Sequence, residues 1–133
     1  MKSIKYFIQF LIISIFFLIF KIIGLKFSSY ISGKLVSFIG PLFRSKDLIK
    51  SNILKALPHL NQNEIKKISN GMWTNYGRIL AEYIFIKDFR KSKLTSNIQV
   101  IGQTILDEIK KDNEPVIFIS GHFNNFELMA MQI

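Results

Sequence analysis

One hundred and thirty-three residues are enough for one domain with a core of its own, and the absence of cysteine excludes disulfides and thiolate zinc sites. The formal net charge of +9 is uneven: residues 1–50 hold eight lysines and arginines against the single Asp47, a balance of +7, and the other 83 residues supply +2. These basic residues are interleaved with long apolar runs and form no clustered stripe with exposed aromatics, so the pattern fits an anionic membrane surface and argues against nucleic acid.

Tyr6 to Phe20 is uncharged and almost wholly apolar. As a helix those 15 residues reach about 22 Å, short of a hydrocarbon core of roughly 30 Å. Extension to Leu25 closes the gap if Lys21 snorkels to the interface. The run is a short spanning helix or a deeply embedded monotopic one; a cleaved signal peptide is the rival, weakened because no small-x-small cleavage site follows closely. Lysines flank both ends, so charge does not set the orientation.

Phe27 to Phe43 continues amphipathically, with Tyr30, Ile31, Leu35, Phe38 and Ile39 at helical spacing and Lys26 and Lys34 opposite, and Gly40-Pro41 ends it. It is a membrane-lying helix, the wall of a lipid-facing groove, or an ordinary core helix. Ser45 can cap a short helix with Leu48, Ile49, Ile53 and Leu57 inward, stopped by Pro58. Asn61-x-x-Glu64 is a capping box, opening a helix whose apolar positions Ile65, Ile68, Met72, Tyr76, Ile79 and Tyr83 keep the three-four rhythm. Arg78 and Glu82, four apart, can pair on one face of it. His59 follows a proline in a turn and reads as a surface residue.

Lys87 to Lys93 reads as a charged connector. Ile98, Val100 and Ile101 suggest a short strand ending at Gly102, and Ile105, Leu106 and Ile109 the stripe of a short helix to Lys111. A turn at residues 112–115 then delivers the chain into Val116-Ile117-Phe118-Ile119, which reads as a buried strand. Ser120-Gly121 breaks it, and Asn124 or Asn125 can cap a helix beginning near Phe126. His122 thus falls at the C-terminal lip of a strand, where open α/β sheets bind ligands, with Glu127 in the first helical turn. A histidine there suits a general base, and a nearby carboxylate can hold its tautomer. Asn124-x-x-Glu127 also fits a capping box, in which the carboxylate does no chemistry. The order strand, helix, strand, helix predicts an α/β fold with a mostly parallel sheet.

Three stretches resemble the lysophospholipid acyltransferase superfamily, and within it the lipid A biosynthesis lauroyl/myristoyl acyltransferases. The first runs from Asn52-Ile53 through Leu57-Pro58 and Glu64 to Trp73-x-Asn75-Tyr76-Gly77-Arg78 with Glu82. The second is Val100-x-Gly102 followed by the helix of Leu106. The third, Ser120-Gly121-His122-Phe123-x-Asn125-Phe126-Glu127, is similar to the family's His-x4-Asp/Glu motif in its GH-x-x-N-W-E form, with Phe126 in place of the usual Trp. The glycerol-phosphate acyltransferase branch is a weaker match, since it generally ends the motif in Asp and has a shorter lead-in.

The resemblance implies transfer of a fatty acyl group from acyl carrier protein to a hydroxyl of a lipid A precursor. His122 would be the base and Glu127 its orienting partner, with no cofactor and no metal. The implied setting is the bacterial inner membrane, with the catalytic part on the cytoplasmic side. The implied organisation is a membrane anchor helix over 1–25, a helical lead-in over 26–96, and the start of an α/β catalytic domain, a parallel sheet with flanking helices, over 97–133. Leu128 onward reads as a helix just begun, so the chain is expected to be the N-terminal part of a larger protein, without turnover of its own. Two alternatives stay open: an inactive membrane-anchored fragment, and an acyltransferase for another phospholipid or glycolipid acceptor.

Overall fold

The computed structural model describes residues 2–91, 95–121 and 124–131 and divides into two compact units, Met1–Ile84 and Phe85–Ile133.

The first unit is four helices: α1 (Lys2–Ile23), α2 (Leu25–Ile39), α3 (Lys46–Ala56) and α4 (Gln62–Glu82). α1 is apolar on every side and exposed on nearly every side, with Phe20 its one buried side chain among those described. At 22 residues it is about 33 Å long, and it is long and apolar enough to cross a membrane. Gly24 interrupts the helix with φ 82° and ψ 165°, a conformation essentially restricted to glycine, and so turns α2 out of the α1 axis. The Ser28 hydroxyl secures this break, lying 2.7 Å from both the Phe20 and the Gly24 carbonyl oxygens, to which it can donate.

α2 and α4 form the closest pair in this unit, and they run antiparallel, since Gly40 meets Trp73, Gly33 meets Thr74 and Arg78, and the Ser29 hydroxyl donates to Glu82 at 3.4 Å. Small residues make the contact. Ser28, Ser32 and Gly33 on α2 and Gly77 and Ala81 on α4 are all buried. A Cβ on Gly77 would lie 2.8 Å from the Gly33 Cα and 2.7 Å from the Ser32 carbonyl carbon, so only glycine permits this approach. The apolar stripe of α4 points elsewhere: Ile68, Met72 and Tyr76 line an open cleft of about 520 Å³ with Ile49, Ile53 and Leu57.

Local signals act as the sequence indicates. Ser45 caps α3 by accepting from the Leu48 N–H, and Asn61 with Glu64 forms a complete capping box, the Glu64 carboxylate accepting from the Asn61 N–H at 2.8 Å.

The second unit holds α5 (Ile86–Lys91), α6 (Gln103–Asp112) and α7 (Glu127–Ala130), with a 3-10 turn at Thr95–Asn97. The expected charged connector therefore begins as a helix. The expected α/β fold is not what the structure shows: among the described residues there is no strand and no sheet. Residues 98–100 and 114–121 carry no regular structure, and Ile101, Ile117 and Ile119 are 91%, 89% and 95% exposed. The physical reason is that strand structure is a pairing property. A two-stranded sheet is marginal in water, and parallel pairing is the weaker kind. Apolar and β-branched composition makes a segment ready to pair but supplies no partner.

Candidate active site

The candidate site is the turn between residues 116–119 and α7. Its expected base, His122, lies outside the described residues, as does Phe123. Around them the backbone is defined. Asn124 takes the left-handed conformation, φ 45°, which asparagine tolerates better than other residues with a Cβ. The chain then turns into α7, the Leu128 N–H donating to the Asn125 carbonyl at 3.2 Å and the Met129 N–H to that of Phe126 at 3.1 Å.

Neither asparagine caps this helix. Phe126 occupies the N-cap position, and no side chain makes a capping bond. The capping-box alternative for Asn124 and Glu127 is thus not formed, which leaves the carboxylate for other contacts. Glu127 is half-buried at the first position of α7, and its Oε2 is shielded from solvent without accepting a hydrogen bond from any described residue. A shielded carboxylate oxygen of this kind calls for a donor. The Ser120 hydroxyl lies 3.2 Å from the Gly121 carbonyl oxygen and 3.7 Å from the Met129 sulfur, so the segment entering the turn folds back onto α7.

Beside this turn runs an open apolar groove of about 610 Å³. Ile105, Leu106 and Ile109 of α6 form one wall, and Phe118, Leu128 and Met129 contribute another. Such a surface can take a hydrocarbon chain; Asn125 at the turn and Gln99 are the polar side chains among its lining residues. Among the described residues no three histidine, aspartate or glutamate side chains are grouped to hold a metal ion.

Reading apolar positions alone missed the small-residue series Ser28, Ser32, Gly33, Gly77 and Ala81. The signal was present as small side chains four residues apart, Ser28 with Ser32 and Gly77 with Ala81, the spacing that lets two helix backbones approach closely.

An apolar N-terminal helix long enough to cross a membrane, and an open apolar groove beside the turn that leads into α7, are features that suit contact with lipid. Residues 1–133 match the family model of the bacterial lipid A biosynthesis acyltransferases, and the chain belongs to that family. No curated protein and no solved structure matches it.

Proposed function

We propose that the protein transfers a fatty acyl group from acyl carrier protein to a hydroxyl of a lipid A precursor, with His122 as general base and Glu127 as its orienting partner. The observation that carries this is the family match over residues 1–133 together with a motif whose glutamate, five residues after the histidine, stands shielded at the first position of a helix, one oxygen accepting no hydrogen bond from any described residue.

In this reading His122 takes the proton of the acceptor hydroxyl as its oxygen attacks the thioester carbonyl. The bond to oxygen forms, negative charge collects on the carbonyl oxygen, and collapse of that intermediate expels the carrier's thiolate. The imidazolium then returns the proton to the leaving sulfur. Glu127 supplies the acceptor that holds the imidazole tautomer and steadies its charged form. Backbone N–H groups near Asn124 and Asn125 would help hold the developing oxyanion. α1 holds the protein in the bacterial inner membrane, with residues 97–133 opening the catalytic part on the cytoplasmic side.

The test is acyl transfer from acyl carrier protein to a lipid A precursor by membranes containing the full-length protein, wild type against His122→Ala. Transfer that depends on His122 supports the reading, and unchanged turnover in the variant defeats it. Turnover on a phospholipid acceptor but not on a lipid A precursor would move the assignment to another acceptor while retaining the base.

A further inference from the structure

We infer that the outward face of α2, continued by the turn at residues 40–44, docks flat into the headgroup interface of an anionic lipid bilayer. The inference rests on α1 being a membrane anchor and goes beyond it. A helix in water buries its large apolar residues and exposes its small polar ones. α2 does the reverse. Ser28 and Ser32 are 0% and 2% exposed, Ser28 against the end of α1 and Ser32 against Gly77 of α4, while Phe27, Tyr30, Ile31, Leu35 and Phe38 stand on the outward face, the phenylalanines 65% and 81% exposed. At 100° per residue these five positions fall within one contiguous face. Leu42 and Phe43 extend it, 82% and 81% exposed. Helices that meet through small residues and turn bulky apolar side chains outward are arranged for lipid.

Charge and length choose the depth. α2 has 15 residues, about 22 Å of helix, too short for a hydrocarbon core of roughly 30 Å. Contrary to the sequence expectation, Lys34 does not lie opposite the apolar stripe: it rises from the middle of the apolar face, its ammonium 5.9 Å from the centre of the Tyr30 ring. A lysine there rules out full immersion but suits the interface, where its stem lies on acyl chains and its charge meets phosphate. Lys26, Arg44 and Lys46 add positive charge at the ends of the face, with Asp47 the one acid between residues 25 and 50. The same charges disfavour a second copy as the occupant, because pairing this face with itself would oppose lysine to lysine. Gly24 makes the arrangement possible by releasing α2 from the α1 axis.

The chain has no cysteine, so single cysteines placed at Ile13, Phe38 and Leu42 can each carry a fluorophore in nanodiscs of phosphatidylethanolamine and phosphatidylglycerol. Phe38 and Leu42 are 81% and 82% exposed and border an open cleft with α3 and α4, and replacing them leaves the close contact of Ser32 and Gly33 with Gly77 untouched. The expected result is loss of emission at Phe38→Cys and Leu42→Cys with a nitroxide near the lipid headgroup, at Ile13→Cys with one deep in the acyl chains, and at none of the three with aqueous iodide. Quenching of the Phe38 and Leu42 labels by iodide, or by neither agent, with Ile13 still quenched by lipid, overturns the inference and leaves the anchor standing. Iodide quenching at Ile13 overturns the anchor and the inference together.

Discussion

At the scale of single residues, the proposed chemistry rests on His122 and Glu127. In the full-length protein His122→Ala is expected to lower acyl transfer by on the order of 10²–10⁴, the usual worth of a general base, with little change in fold. Glu127→Gln separates two roles that its position allows. If the carboxylate orients His122, an amide keeps the shape and lowers the rate less than the histidine variant does. Wild-type transfer by Glu127→Gln in the same assay would confine the residue to packing at the start of α7. A second pair tests the helix contact. Gly77→Ala drives a methyl group into the backbone of α2, which no side-chain movement relieves, and should destabilise the first unit by about 1–3 kcal/mol. Gly71→Ala, on the same helix with nothing within 4 Å of the added atom, should be neutral or stabilising by up to about 1 kcal/mol. Thermal unfolding of the two variants in one detergent checks both, and equal melting temperatures would refute the close-contact account.

Among the elements, α4 shows how far local sequence reaches. Its start was legible because Asn61 and Glu64 satisfy two orphan backbone groups without help from the rest of the chain. Asn61→Ala should cost about 1 kcal/mol and fray the first turn, measurable as faster amide exchange at residues 62–65. Its packing face was not legible in the same way. The three-four rhythm of Ile65, Ile68, Met72 and Tyr76 selects the large apolar stripe, whereas the tightest contact is made by Gly77 and Ala81 on a neighbouring face. Apolar periodicity identifies surface that avoids water. It does not say whether a protein neighbour or lipid provides the cover, and α2 makes the same point in the opposite sense.

For the whole molecule, residues 2–23 should decide where the protein resides. Deleting them is expected to move most of the protein from washed membranes to the soluble fraction, or to leave only a salt-sensitive residue held by α2 and its lysines. Salt-resistant membrane retention of the shortened protein would show that α1 is not the principal anchor. The second unit behaves differently from the first because its expected order depends on distant partners. Its helices form where the local stripe of Ile105, Leu106 and Ile109 suffices, yet Val116 to Ile119 stays exposed and irregular. An exposed apolar segment with open backbone groups favours association, so the second unit is the part in which aggregation should begin.

What the sequence determined by itself is what near neighbours along the chain can settle: the apolar run of α1, the caps at Ser45 and Asn61, and the short helix of α6. Each rests on hydrogen bonds or periodicity within a few residues, which no other part of the molecule has to supply. Only the tertiary structure decided that α2 and α4 meet through glycine and serine, that the bulky face of α2 points outward, and that residues 116–119 form no strand. Those outcomes depend on which surfaces come together, and surfaces far apart in the chain compete for that contact on size and shape as well as on hydrophobicity.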